Sequence, residues 1–279
     1  MNIQNGGAKL PLYWMQGQYS TLLPRFLDPD QPLYVPIHQG LDGLPVLHKT
    51  VEEIAGHFLR EIRIVQQKGP YLLGGYCLGG LVALEIAQQL LKQGDEVPLL
   101  FLLEPPSHCF PSKTPDNDPS PNNCSFRSRV AHHLGNIIHL WTGDKLDYIL
   151  GKLPSVFNWI LNNKLRFSER LKLLACKAYL FTGHPLPVSL RYVYLMDISM
   201  RAVRNYTPKS YPGRIILCNS DKMSYGEGVG QMTGGGVEVH QVICPDHASI
   251  VKEPYVGIWA GHLNLYLREL QVKKEDNNK

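Results

Sequence analysis

Short apolar runs and stripes of helical period alternate along the first hundred residues. Residues 9–15, 33–37 and 71–75 read as strands, although Pro11 weakens the start of the first. Residues 98–104 form a continuous apolar run, as expected for a parallel strand covered on both faces. Between the second and third strands, residues 50–67 carry Val51, Ile54, Ala55, Phe58, Ile62 and Val65 on one helical face. Thr50 and Glu53 stand at capping-box spacing at the start of that helix, and Gly69-Pro70 ends it. Residues 78–93 read as a second helix closed by Gly94, and 19–27 as a short helical piece at most. This rhythm predicts βαβ units and a parallel sheet.

The rhythm breaks after residue 104. Residues 105–123 are rich in Pro, Ser, Asn and Asp and read as an exposed loop. From 125 to 205 the apolar spacing is helical, as over 129–141, 146–160 and 190–206, with no convincing strand. Strands resume at 214–218, after the turn Tyr211-Pro212-Gly213, and at 237–243. A closing helix is predicted over 253–270, and a charged, disordered tail over 273–279. The pattern thus predicts a core in two parts, 1–106 and 211–272, interrupted by a helical lid over 107–210.

Composition narrows the classes. At 279 residues the chain can bury a sizeable core. A net charge of +4 is too small to argue for a nucleic-acid partner. Its distribution is uneven: the segment from Ser107 to Ser210 holds fourteen Lys or Arg against six Asp or Glu, so the remainder is net negative. A basic helical lid would attract an acidic partner domain or a phosphate-bearing arm, although solvated helix faces would carry the same charge. Six cysteines (Cys77, Cys109, Cys124, Cys176, Cys218 and Cys244) form no C-x-x-C pair and show no zinc-type spacing with histidine. Neither a metal site nor a bound cofactor is expected. Residues 1–9 lack signal-peptide architecture, and no uncharged apolar run approaches the about 18 residues of a membrane span. The expected setting is a cytoplasm that keeps thiols reduced, with no membrane partner.

The stretch Tyr71-Leu72-Leu73-Gly74-Gly75-Tyr76-Cys77-Leu78-Gly79-Gly80 carries the strongest chemical signal. Gly75-Tyr76-Cys77-Leu78-Gly79 fits the nucleophile-elbow pattern G-x-S-x-G, with cysteine in the serine position. Such a nucleophile sits on a strained strand-to-helix corner, where side chains two residues before and after it would clash. The Leu78 N–H would then lie at a helix N-terminus, which favours a thiolate and a developing oxyanion alike. A buried cysteine in a Gly-rich turn is the plain alternative.

A cysteine nucleophile usually works with a base and a group that orients the base. His247 lies in Cys244-Pro245-Asp246-His247-Ala248-Ser249, just beyond the last predicted strand, at the sheet end where such folds place their sites. The order nucleophile, acid, histidine suits it as the base. His108 and the pair His132-His133 read as surface residues. Two acids could reach His247: Glu104, ending the strand after the elbow helix, and Asp221, following the next strand. Asp246 is better placed to shape the loop.

Taken together, Asp30-Gln31-Pro32-Leu33-Tyr34, Gln39-Gly40-Leu41-Asp42-Gly43, the stretch 69–80, Tyr211-Pro212-Gly213-Arg214, and the stretch from Gly235-Gly236-Val237 through Asp246-His247 to Glu253-Pro254 resemble the thioesterase domains of nonribosomal peptide and polyketide synthetases. These stretches span nearly the whole chain. The resemblance implies an α/β-hydrolase fold: a mostly parallel sheet flanked by helices, with an inserted helical lid. It also implies acyl transfer from a phosphopantetheine-linked acyl or peptidyl carrier protein, the arm being supplied by the carrier. In that family the acid follows the strand after the elbow helix, which favours Glu104 over Asp221, although the family usually has aspartate there.

Two departures from the family change the expected chemistry. The family has a Gly-rich turn and a full helix after its first conserved strand, and they supply one oxyanion N–H. Here Tyr13-Trp14-Met15-Gln16-Gly17-Gln18 runs almost directly into Leu22-Leu23-Pro24, leaving Gln16 or Gly17 to supply that donor beside Leu78. Second, Cys77 replaces the usual serine. A serine would convert the carrier thioester into a more stable oxoester, whereas cysteine keeps a thioester that stays reactive toward amines and thiols. The expected function is therefore transfer of an acyl, aminoacyl or peptidyl group through Cys77 to a small-molecule amine or hydroxyl or to a second thiol. The alternatives are hydrolytic release or proofreading, and a catalytically silent carrier-binding domain. The start at Met1 suggests a free-standing protein, while the tail fits an excised terminal domain equally well.

Overall fold

In a computed structural model, which describes residues 2–4, 9–15, 21–110, 168–221 and 226–277, seven strands pair into one sheet. They are β1 (Asn2–Gln4), β2 (Leu12–Met15), β3 (Leu33–Tyr34), β4 (Leu72–Tyr76), β5 (Leu99–Leu103), β6 (Ile215–Ser220) and β7 (Val237–Val242). Their spatial order is β1-β3-β2-β4-β5-β6-β7, and every neighbouring pair is parallel except β1 with β3. The described helices are α1 (Val51–Val65), α2 (Leu78–Lys92), α3 (168–181), α4 (Val188–Arg204), α5 (Gly226–Met232) and α6 (Tyr255–Asn277). Single 3-10 turns lie at Leu23–Arg25 and Ser107–Cys109. None of the described helices is long and apolar enough to cross a membrane.

The chain divides into two compact units, residues 1–113 with 195–279, and residues 114–194. In the second, the Cys176 thiol donates to the Leu190 carbonyl at 3.8 Å and Arg191 Nε donates to the Leu186 carbonyl at 2.8 Å. The predicted helices at 129–141 and 146–160, and His132-His133, lie outside the described residues. The third predicted helix, 190–206, corresponds to α4.

The first unit holds the sheet, whose two faces follow from the period-2 alternation of its strands. Leu73, Leu100, Leu102 and Leu217 pack on one side with α1 and α2. Leu72, Tyr76, Leu99, Phe101, Leu103 and Cys218 pack on the other with Trp259 and Leu263 of α6. All five residues of β5 are buried, as its unbroken apolar sequence requires. Trp14 of β2 stacks on Trp259, with ring centroids 5.4 Å apart and planes 11° from parallel. A Cβ on Gly74 would lie 2.6 Å from the Trp14 ring, so glycine there makes room for the indole. At the head of α1 the capping box closes: Glu53 N–H donates to Thr50 Oγ1 at 3.2 Å, and Thr50 N–H to the Glu53 carboxylate at 3.2 Å.

Several boundaries depart from the sequence pattern. β1 is an edge strand of three residues, too short to show an alternation. β3 stops at Tyr34 rather than residue 37, and Pro36 brings no N–H to a ladder. The helix α5 has three glycines in seven residues, which hides it from any propensity argument. α6 runs to Asn277, well past residue 270 and through most of the stretch expected to be a tail. Beyond Leu270, its Gln271, Lys273, Lys274 and Glu275 are good helix formers, and neither glycine nor proline follows Gly261.

Candidate active site

β4 and β5 are in register with Tyr76 opposite Leu103, and β5 and β6 with Leu103 opposite Cys218. The residues that leave the carboxyl ends of these central strands therefore emerge side by side, where open parallel sheets bind ligands. Cys77 follows β4 directly with φ 53° and ψ −122°, a left-handed conformation costly for a residue with a Cβ. Its N–H donates to the Leu103 carbonyl at 2.9 Å, and its own carbonyl accepts from Gly80 N–H at 2.9 Å as α2 begins. A Cβ on Gly75 would lie 2.3 Å from the Gly79 carbonyl oxygen, so the helix can fold back over the strand only with glycine here. The Leu78 N–H is the first of α2, at the positive end of the helix dipole. Cys77 is half-buried.

Glu104 follows β5 in the same way, with φ 43°, and its N–H donates to the Cys218 carbonyl at 2.9 Å. Its side chain is fully buried. One carboxylate oxygen accepts from Ser220 N–H at 2.8 Å, and the other is paired with His247 Nδ1 in a short contact. Burial alone would raise the Glu104 pKa, but the hydrogen bonds from His247 and Ser220 outweigh it and hold the carboxyl below its ordinary range.

His247 is carried by the loop after β7. Asp246 closes a tight turn there, accepting from Ser249 N–H at 2.9 Å and Ser249 Oγ at 3.0 Å, and Trp259 Nε1 donates to the Ile250 carbonyl at 2.8 Å. Nδ1 is engaged by Glu104, and the Cys77 side chain is near enough to the ring to act on its charge state. The Cys77 contact first, and Glu104 second, lift the His247 pKa to about 9 against the opposing effect of burial. The Tyr76 ring stacks on the imidazole, with centroids 4.8 Å apart and planes 22° from parallel, and its hydroxyl donates to the His247 carbonyl at 2.9 Å.

The structure thus brings Cys77 and Glu104 to the same imidazole, Glu104 by a hydrogen bond at Nδ1 and Cys77 through its influence on the ring's charge. Asp221 is not in it: its N–H donates to the Val242 carbonyl at 3.1 Å and its carboxylate accepts from Cys244 N–H at 3.3 Å, which ties down the start of the His247 loop. Gln16 and Gly17 lie outside the described residues. Sequence reasoning missed Ser220 and Tyr76. Ser220 acts on Glu104 through its side chain and its backbone N–H, the latter invisible to any side-chain pattern, and Tyr76 occupies a free position of the elbow motif. Among the described residues no cluster of His, Cys, Asp or Glu could hold a metal ion.

A strained elbow on a mostly parallel sheet, with an acid and a histidine from later strand ends, defines an α/β-hydrolase fold. The family model for the thioesterase domain matches residues 19–137. The chain is 35% identical over 123 residues to a dimodular nonribosomal peptide synthase of Bacillus subtilis (strain 168), covering 42% of this chain and 5% of that protein. It is 46% identical over 85 residues to a non-reducing polyketide synthase of Pseudevernia furfuracea, covering 28% of this chain and 4% of that protein. The chain therefore spans only a small part of the length of these curated relatives. Among solved structures, the NocB thioesterase domain from the nocardicin cluster superposes with a TM-score of 0.59 at 18% identity, covering 94% of this chain and 95% of that one. The similarity to thioesterase domains of nonribosomal peptide and polyketide synthetases holds in family model, sequence relatives and fold alike.

Proposed function

We propose that the protein is a cysteine-dependent acyltransferase that takes acyl, aminoacyl or peptidyl groups from a phosphopantetheinyl carrier protein in peptide or polyketide biosynthesis. The observation that carries this reading is the series Glu104–His247–Cys77 ending on a thiol at a strained elbow. Cys77 Sγ attacks the thioester carbonyl with its proton held on His247. The tetrahedral oxyanion forms beside the Leu78 N–H at the head of α2, with a second donor expected from Gln16 or Gly17. Collapse breaks the bond to the carrier sulfur, which leaves with the proton from His247. An amine, hydroxyl or thiol acceptor then attacks the acyl-cysteine, giving its proton to His247, and the Cys77 thiol is regenerated. Glu104 holds the imidazole in the required tautomer and stabilises its charged form.

The acyl-cysteine is itself a thioester, close in energy to the carrier thioester, so loading is reversible and good nucleophiles compete well with water. Hydrolytic release follows the same steps with water as acceptor, and the match to the thioesterase domain favours it equally. Incubation with an acyl-loaded carrier, followed by intact-mass measurement, tests the reading. Wild-type protein is expected to gain the acyl mass and Cys77→Ala to gain none; loading of Cys77→Ala would overturn the mechanism. The ratio of amide to free acid in the presence of an amine then separates transfer from hydrolysis. No loading of wild-type protein, with the carrier still bound, would instead mean a silent carrier-binding domain.

A further inference from the structure

The residue before the nucleophile is buried to 5% exposure and makes two separate contacts with His247. Its ring lies face to face with the imidazole, and its hydroxyl donates to the main-chain carbonyl of the same residue at 2.9 Å. A single side chain of β4 therefore supports both the plane of the ring and the backbone from which the ring hangs. That strand also leads directly into Cys77, so nucleophile and base are referred to one rigid element, although they lie 170 positions apart in sequence. Glu104 fixes the imidazole at one nitrogen only, and one hydrogen bond leaves the ring free to tilt about it. The side chain of His247 is 39% exposed, so surrounding packing does not supply the missing restraint.

We propose that Tyr76 is a positioning residue for His247: its ring sets the imidazole plane and favours the imidazolium, and its hydroxyl pins the loop. The proposal rests on the reading of His247 as the proton carrier. An aromatic face within about 6 Å of a cation attracts it through the ring quadrupole. The other groups facing or flanking His247 are the Cys77 thiol, the Glu104 carboxylate, and Cys244 and Asp246 of its own loop, Asp246 being turned toward Ser249. None of these presents a flat face to the ring.

The test is the titration of the His247 imidazole by NMR, with the signal assigned by its loss in His247→Gln. Tyr76→Leu is expected to lower the His247 pKa by about half to one unit, while Tyr76→Phe, which keeps the ring, titrates as wild type. Tyr76→Phe is expected instead to speed amide exchange over residues 247–249 about fivefold, the effect of one lost hydrogen bond. A wild-type titration in Tyr76→Leu, or unchanged exchange in Tyr76→Phe, would overturn the proposal; should the leucine variant not fold, the exchange measurement decides. Both readouts are independent of acyl transfer. If both changes occur in a protein that never takes an acyl group, the functional reading fails and this one stands. If Cys77 is acylated and neither change occurs, the reverse holds.

Discussion

Cys77 and Glu104 leave adjacent parallel strands by the same backbone device. Each is the first residue after its strand, each takes a left-handed φ (53° and 43°), and the Cys77 N–H bonds to the carbonyl of Leu103 immediately before Glu104. Among the described residues these are the two non-glycine positions with positive φ. Both act on the His247 imidazole, so the strain is concentrated where the chemistry is proposed to occur. It turns both side chains toward the loop that carries His247.

Replacing Glu104 by Gln keeps the size of the side chain and removes its charge. The neutral amide no longer stabilises imidazolium, so the His247 pKa should fall below its wild-type value of about 9. Acyl loading should slow by about 100-fold or more, because the imidazole loses its oriented tautomer. Single-turnover loading rates across pH measure both effects. A Glu104→Gln protein as fast as wild type would exclude Glu104 from the mechanism.

Cys77→Ser changes the energy of the intermediate rather than the geometry of the elbow. An acyl-cysteine can return its group to a free carrier thiol, because both states are thioesters. An acyl-serine is the more stable oxoester, and that return becomes uphill. Pre-acylated wild-type protein mixed with unloaded carrier should regenerate acyl-carrier, whereas the serine variant should not. Mass analysis of the carrier reads the difference directly. Equal return from both proteins would remove the argument that cysteine here serves transfer.

How much of this was legible in the sequence depends on where each feature is encoded. The elbow is legible because Gly75 is dictated by a backbone approach to the Gly79 carbonyl that no other residue permits, and that constraint stands at a fixed spacing from Cys77. β4 and β5 are legible because strands buried on both faces must be apolar throughout. The residues alone leave Glu104 and Asp221 open, since both follow central strands, and only the family resemblance favours Glu104; the structure separates them by what each carboxylate touches, His247 in one case and the Cys244 N–H in the other. The Ser220 N–H and the Tyr76 stack escape the sequence altogether, one being backbone and the other a contact between residues 171 positions apart.

Gly75→Ala tests the elbow as a packing constraint, independently of any chemistry. The added methyl would sit 2.3 Å from the Gly79 carbonyl oxygen and 2.8 Å from the Gly80 nitrogen. These are backbone atoms of the first turn of α2 and cannot swing aside, so the turn must shift and carry Cys77 with it. The expected cost is about 3 kcal/mol, at the upper end for overpacking a close-packed site. It is read as a fall in the urea midpoint with unchanged slope. Loading should fall further than stability alone explains.

The charge state of His247 links the site to stability, and the sign follows from its pKa. In the folded protein the Cys77 and Glu104 contacts raise that pKa from 6.5 to about 9. Between those values the folded state holds a proton that the unfolded state has released. The stabilisation is therefore complete below about pH 6.5 and is lost as pH rises through about 9. Partial exposure of the ring screens the effect and keeps it modest. His247→Gln removes this contribution, so its urea midpoint should change less than that of wild-type protein between pH 6.5 and 9.5. Glu104→Gln should fall between the two, because the Cys77 contact, the larger of the two, remains. Parallel slopes for wild type and His247→Gln across that window would mean that the imidazole gains no proton affinity on folding.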